Sequence, residues 1–497
     1  MTTGPDERRP SPVAMDGEAF KTLGHSLVDR IAALLDSIAE RPVTQGEAPD
    51  RIREILGGSG LPDHGAPASE LMDRAADLLM EHSLFNGHPR FMGYITSSAA
   101  PLGMLADLLA AAVNANVGAQ VLSPMATEIE RQTIAWLAEL IGVPDHFGGL
   151  CVSGGNMANL TAFLAARTAK APPALKENGL AAVGADMITY CSKATHTWID
   201  KAITLFGHGS RSLRWIATDA DGRMDLRALD DAIRTDREAG RIPFLGVGTA
   251  GDVSTGAVDD LTGLAAICRG HDLWFHVDGA YGAPAAALPE LAGMFKGLEE
   301  ADSIALDPHK WLYAPLEAGC TLVKDPRHLL DAFSAHPAYY HFGGDGGQPP
   351  LNFFELGLQN SRGFRALKVW MMLQQVGREG YVQLMREDIA LARRLYEAAQ
   401  KHPELQALTC HLSIATLRYV PSGTGSTAGE EERLNALNRA VLEAIEKGGE
   451  AFLSNAVLDG RFVLRACIVN FRTSEKDIDA LVELIVREGR RLHKVAD

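Results

Sequence analysis

Seven short apolar runs recur between residues 148 and 325: "GLCVSGG", "DMITYCS", "LRWIATD", "PFLGVGTAG", "LWFHVDGAYG", "DSIALDPHKW" and "GCTLVKD". Each is apolar at successive positions, not only at alternate ones, so both faces of the strand it forms must be buried. Helical stretches such as "DLRALDDAIRTDREAG" and "DLTGLAAICRGHD" lie between them. Strands covered on both faces and joined by crossover helices pair in parallel. The chain is therefore predicted to be α/β, with a large domain over residues 87–376 built on a mostly parallel sheet.

The flanks read differently. Residues 16–86 have helical spacing, as in "LVDRIAALLDSIAE", where Leu27, Ile31, Leu34, Leu35 and Ile38 share a side. A helical arm of this size cannot enclose a core, so residues 1–86 must pack on the remaining chain or on a second subunit. The stretch "TEIERQTIAWLAELIGV" is predicted to open a helix on a capping box of Thr127 and Glu130. The glycine- and proline-rich segment from "FSAHPAYYHF" to "SRGFRALKVW" is predicted to be a functional lid that turns helical at about Arg362. Beyond it a long helix, a strand-like "LTCHLSIATLRYV", a hairpin at Asp459-Gly460 and a last amphipathic helix capped by Ser474 make a small α/β domain over 377–497.

Composition narrows the partners. An apolar fraction of 46% supports a large core, and 63 acidic against 47 basic residues give a net charge of −16, which argues against nucleic acid. Six scattered cysteines show no CxxC spacing, and no cluster has metal-ligand spacing. The amino terminus lacks the apolar core of a signal peptide, and the apolar stretch "MLADLLAAAVNANVG" is broken before spanning length. A cytoplasmic protein, neither exported nor inserted in a membrane, is expected.

In an open parallel sheet, ligands bind beyond the carboxyl ends of the strands. The polar residues there are Ser153-Gly154-Gly155-Asn156, Asp252, Asp278 and Asp307-His309-Lys310. "SGGNMANL" follows a strand and opens a helix, so it suits a phosphate, although an ordinary tight turn would look the same. It lacks the lysine of a P-loop and does not fit GxGxxG. Asp278 ends an apolar strand, where an unpaired carboxylate costs several kcal/mol, so a donor or cation must meet it. Lys310 ends the next strand, and a partly desolvated lysine is an amine nucleophile toward an aldehyde. A phosphate turn, an acid for a ring nitrogen and such a lysine are together the equipment for pyridoxal phosphate.

The stretches "HPRFMGYITSSAAPLGMLADLL", "LSPMATEIE", "SGGNMANL", "HVDGAYG", "DPHKW" and "SRGFRALKVW" carry a wider resemblance. The chain resembles the group II pyridoxal-dependent amino-acid decarboxylases, which include aromatic-L-amino-acid decarboxylase and glutamate decarboxylase. The resemblance implies a fold type I domain, an N-terminal arm and a homodimer whose active sites use both subunits. By matching position it implies that Lys310 bonds the cofactor aldehyde, Asp278 holds the ring nitrogen protonated, His196 stacks on the ring and Ala280 packs beneath it. Gly155, Asn156 and Ser361 match phosphate contacts, and His309 matches a contact to phosphate or substrate carboxylate. Tyr339, with Tyr340 beside it, matches the loop tyrosine that returns a proton to the substrate. Tyr94, Thr96, Asn116 and Gly118 align with the substrate pocket.

Three departures stand out. Asp307 replaces a frequent asparagine, Asp252 and Val253 replace threonines, and the aligned pocket residues predict a more polar or roomier site than in the aromatic enzymes. The expected reaction is decarboxylation of an L-amino acid to its amine and CO2, with an aromatic substrate ahead of others. The alternatives are a glutamate- or diaminobutyrate-type decarboxylase, an aldehyde synthase, a transaminase or a lyase. His196 and Tyr339 together favour simple decarboxylation over aldehyde formation, while Arg465 lies where a transaminase would hold a carboxylate. A non-catalytic binding protein is disfavoured because Lys310, Asp278 and His196 are all present.

Overall fold

The structure is a computed structural model of the 497-residue chain and describes residues 11–58, 60–335, 350–424 and 428–496. The seven apolar runs form one sheet of β1 (Gly148–Val152), β2 (Met187–Ser192), β3 (Leu213–Ile216), β4 (Ile242–Thr249), β5 (Trp274–Asp278), β6 (Ser303–Leu306) and β7 (Gly319–Val323). Their order is β1-β7-β6-β5-β4-β2-β3. Pairing is parallel from β3 through β6, and β7 runs antiparallel to both β1 and β6. Every residue of β2, β5, β6 and β7 is buried, as strands covered on both faces require.

A second sheet of β8 (Leu405–His411), β9 (Ile414–Tyr419), β10 (Ser454–Leu458) and β11 (Arg461–Cys467) is antiparallel throughout, in the order β10-β11-β9-β8. Its own apolar core includes Leu395, Leu417, Val441, Leu464, Ile478 and Ile485. The β10–β11 turn uses Asp459 (φ 49°) and Gly460 (φ 79°), the two left-handed residues that a type I′ hairpin demands. The long helix Ala366–Lys401 joins the two parts and is interrupted at Gly377, whose φ of 67° and ψ of 170° leave the helical region.

Several local expectations are corrected. The helix predicted to start at Thr127 starts at Pro124, so Thr127 and Glu130 sit inside it and form no capping box. Glu130 instead turns inward to pair with Arg362. Arg362 does not open a helix either; it is buried in the preceding loop, and the helix begins at Ala366. "LTCHLSIATLRYV" is not one strand but the hairpin of β8 and β9, turned through Leu412 at φ 47°. The arm helix Gly17–Ser37 contains no buried residue in this chain. Among the described residues no helix is long and apolar enough to cross a membrane.

Candidate active site

Register places the chemistry. Thr249 at the end of β4 pairs with Asp278 at the end of β5, and Asp278 pairs with Ala305 near the end of β6. Lys310 follows β6 after one tight turn, in which its N–H reaches the carbonyl of Asp307 at 2.9 Å. A cleft of about 500 Å³ opens at these strand ends, lined by Gly155, Asn156, His196, Asp278, Ala280, Asp307 and Lys310 among others. Tyr94, Thr96, Val253, Ser254, Asn455 and Arg465 form its remaining wall.

Gly155 is the first residue of the helix Gly155–Lys170, whose amino end is a favourable place for an anion. A Cβ at Gly155 would stand 2.5 Å from Oδ2 of Asp307 and 3.1 Å from Cβ of Ala280, so only glycine leaves this cradle open. Asn156 Oδ1 and Thr249 Oγ1 are buried without a hydrogen-bond partner, as are Nε and Nη2 of Arg465. Buried polar atoms of this kind are rare unless a ligand completes them.

Asp278 is nearly buried, and a donor does meet it: the indole Nε1 of Trp198 lies 2.8 Å from Oδ2, while the Ala280 N–H lies 3.2 Å from Oδ1. His196 accepts the backbone N–H of Trp198 at Nδ1, at 3.3 Å. Desolvation lowers the pKa of His196, with Asp278 opposing and Lys310 reinforcing the shift, so the ring is neutral near pH 7. Beneath Asp278, His276 is wedged between Ser303 Oγ (2.8 Å) and Asn159 Oδ1 (2.7 Å), and burial depresses its pKa to about 4.

Lys310 Nζ lies 3.1 Å from Oδ2 of Asp307, whose side chain is 2% exposed and whose Oδ1 has no partner. Asp307 is thus the counter-ion of Lys310 in this structure. His309 Nε2 lies 3.8 Å from the same Asp307 oxygen, while its Nδ1 donates to the Ala318 carbonyl at 2.6 Å and its ring lines an adjoining hollow with Ser153, Gly154 and Asn156.

Besides His309, three expected site residues do not line this cleft. Asn116 Oδ1 is taken by the N–H groups of Gly118 (3.2 Å) and Arg362 (3.0 Å), and Gly118 is closed against the Asn360 carbonyl. Ser361 is exposed beside the buried Arg362. Asp252 is a turn former, accepting the N–H groups of Ser254, Thr255 and Ala257, and it leaves Val253 and Ser254 to face the cleft. Tyr339 and Tyr340 lie outside the described residues.

Sequence reasoning missed Trp198, Thr249 and Asn159. Thr249 carried a usable signal, since it ends an apolar run next to Asp252. Trp198 is two residues from His196, but an indole in a helix reads as core.

The residues fit pyridoxal phosphate: a glycine cradle at a helix start, unpartnered acceptors and donors, an acid at a strand end and an amine beside it. Residues 49–419 match the model of the pyridoxal-dependent decarboxylase conserved domain. The chain is 33% identical over 470 residues to an aromatic-L-amino-acid decarboxylase of Bacillus atrophaeus, covering 93% of this chain and 94% of that one. It is 30% identical over 490 residues to a phenylacetaldehyde synthase of Arabidopsis thaliana, covering 97% and 98%. A crystal structure of Oryza sativa TDC with PLP and tryptamine superimposes with a TM-score of 0.89 at 27% identity, over 97% of this chain and 100% of that one. The cleft, the fold and these likenesses agree, and the chain belongs to the pyridoxal-dependent decarboxylase family, with pyridoxal phosphate as its cofactor.

Proposed function

We propose that the protein removes CO2 from an L-amino acid to leave the amine, with aromatic amino acids ahead of acidic or diamino ones. The observation that carries this reading is the convergence of Lys310, Asp278 and His196 on one cleft. Pyridoxal phosphate supplies an electron sink for the breaking bond. Lys310 Nζ would bond the cofactor aldehyde, its amine standing in the cleft for that purpose. Asp278 would hold a proton on the cofactor's ring nitrogen, and His196 would stack on the ring. Gly155 and Asn156 bind the phosphate. Arg465 offers Nε and Nη2, both buried without a partner, to the substrate carboxylate, and Tyr339 returns a proton to the carbon that CO2 leaves.

The aromatic preference is supported by the Bacillus atrophaeus relative and by the tryptamine in the Oryza sativa structure. CO2 release from a panel of aromatic, acidic and basic L-amino acids tests it. Turnover of an acidic or basic amino acid alone would overturn the preference, and no turnover by cofactor-loaded protein would overturn the reaction. A second reading, oxidative release of an aldehyde, is favoured by the similarity to phenylacetaldehyde synthase. Tyr339→Phe should raise aldehyde at the expense of amine; an unchanged product ratio excludes the proton-donor role.

The proposed working unit is a homodimer, with residues 1–86 as the dimerisation arm, 87–376 as the cofactor domain and 377–497 as the small domain. In support, Phe20 (62% exposed), Leu79 (66%), Val113 (64%) and Met125 (73%) present apolar surface on the arm and around Asn116 and Gly118. Such a face would carry Asn116, Gly118 and Ser361 toward the other subunit's cleft. Sedimentation at micromolar concentration should give a dimer, and a monomer with full activity would exclude the shared site.

A further inference from the structure

Lys310 is the first residue of a turn that is held from behind. Trp311 Nε1 and Tyr313 Oη both donate to one oxygen, Oδ2 of Asp388, at 2.8 and 2.6 Å. Asp388 belongs to the long helix Ala366–Lys401 and is 3% exposed. Between the two donors, the carbonyl of Leu312 accepts from Tyr381 Oη at 3.2 Å. The face of Trp311 stacks on Tyr281, a cleft-lining residue, with ring centres 5.0 Å apart. Tyr313 sits at φ 57°, a conformation that an aromatic residue rarely adopts unless its surroundings hold it there. The three residues after Lys310 are therefore all tied to the helix behind them, and two of the three ties end on one carboxylate.

We propose that Asp388 is a positioning residue for Lys310: through Trp311 and Tyr313 it fixes the turn that aims the lysine amine into the cleft. The proposal rests on Lys310 being the residue that bears the cofactor. A buried carboxyl oxygen that accepts two side-chain donors holds them firmly, because neither donor has water as an alternative. A catalytic side chain aimed by such a shell loses effectiveness when the shell loosens, even though no reacting atom is touched.

Two substitutions separate positioning from bulk stability. Asp388→Leu removes the acceptor, and Asp388→Asn keeps an acceptor oxygen but cannot ionise. Three quantities are measured: the dissociation constant of pyridoxal phosphate by its visible absorbance, the rate at which borohydride fixes it to the protein, and the unfolding temperature of cofactor-free protein. Asp388→Leu should weaken cofactor binding by about tenfold and slow fixation, while Asp388→Asn stays within about twofold of the parent. Tyr313→Phe should lose part of the affinity in the parent and none in the Asp388→Leu background. A lowered unfolding temperature with both cofactor constants unchanged overturns the proposal. So does a Tyr313→Phe effect that persists at full size without Asp388. If Asp388→Leu fails to fold, the Trp311→Phe, Tyr313→Phe double variant leaves the carboxylate in place and takes its part. Weaker binding and slower fixation in that variant are expected, and parental values of both constants overturn the proposal. Borohydride fixation that survives Lys310→Ala would sink the assignment of Lys310 instead.

Discussion

Trp198 links Asp278 and His196 across the cleft lining: its indole N–H donates to Asp278 at 2.8 Å and its backbone N–H donates to His196 at 3.3 Å. One buried residue thereby sets the spacing between the carboxylate and the imidazole. Asp278 cannot exchange that donor for water, because it is 7% exposed at the end of a covered strand.

Trp198→Phe keeps an aromatic ring and the backbone N–H but deletes the indole donor. Leaving the carboxylate short of a donor should cost about 1–3 kcal/mol. Urea unfolding of the cofactor-free protein measures this, and kcat/KM should fall with it. Unchanged stability and unchanged kcat/KM would mean that the hydrogen bond carries nothing.

Lys310 is the partner of Asp307 at 3.1 Å, and the aspartate is buried. Lys310→Met should therefore lower the stability of the cofactor-free protein by about 1–3 kcal/mol, beyond abolishing activity. Adding Asp307→Asn should recover most of that loss. A double variant no more stable than Lys310→Met refutes the pairing.

Asp307 also faces the start of the helix Gly155–Lys170, where a phosphate would sit. Removing its charge takes away a like-charge repulsion worth a few kcal/mol at short range. Asp307→Asn should bind inorganic phosphate tighter, by about fivefold or more at low salt, and the gain should shrink as salt is added. Weaker phosphate binding by the variant would show that Asp307 does not oppose the anion.

Burial raises the Asp388 pKa from 3.8 to about 7, with Glu387 adding to the shift and Tyr313, Trp311 and the Asn470 backbone opposing it. The folded protein therefore keeps a proton on Asp388 that the unfolded chain gives up, so folding loses stability as pH rises from about 4 to 7. Asp388→Asn cannot ionise and escapes this loss. The stability of Asp388→Asn relative to the parent should improve steadily across that window; a flat difference would contradict the raised pKa.

Arg362 and Glu130 are fully buried, and Arg362 also donates to the carbonyls of Val117 (2.7 Å) and Cys151 (2.6 Å). Arg362→Met strands the Glu130 charge and should cost about 3–5 kcal/mol. Arg362→Met with Glu130→Gln should cost clearly less. Equal costs for the single and double variants would show that the ion pair is not what holds the loop.

The cleft was legible where it depended on strand ends. Asp278 and Lys310 follow apolar runs directly, where parallel pairing of β5 and β6 brings the strand ends together, and Gly155 and Asn156, just beyond β1, line the same cavity. His196, Ala280, Tyr94 and Thr96 came from the resemblance, and they line it too. Asn116, Gly118 and Ser361 came from the same source and are engaged elsewhere or exposed in this chain, because their local hydrogen bonds are set by the packing of the Arg362 loop, which no spacing along the sequence specifies.

The sequence by itself determined the α/β class, the seven strands and the cofactor chemistry, because burial periodicity and strand-end turns are local properties that neighbouring residues specify. Only the tertiary structure decided which side chains meet across long separations: Trp198 with Asp278, 80 residues apart; Trp311 with Asp388, 77 apart; and Arg362 with Glu130, 232 apart. A buried donor accepts whichever acceptor chain closure brings within about 3 Å, and that choice depends on how distant elements pack rather than on any spacing along the chain.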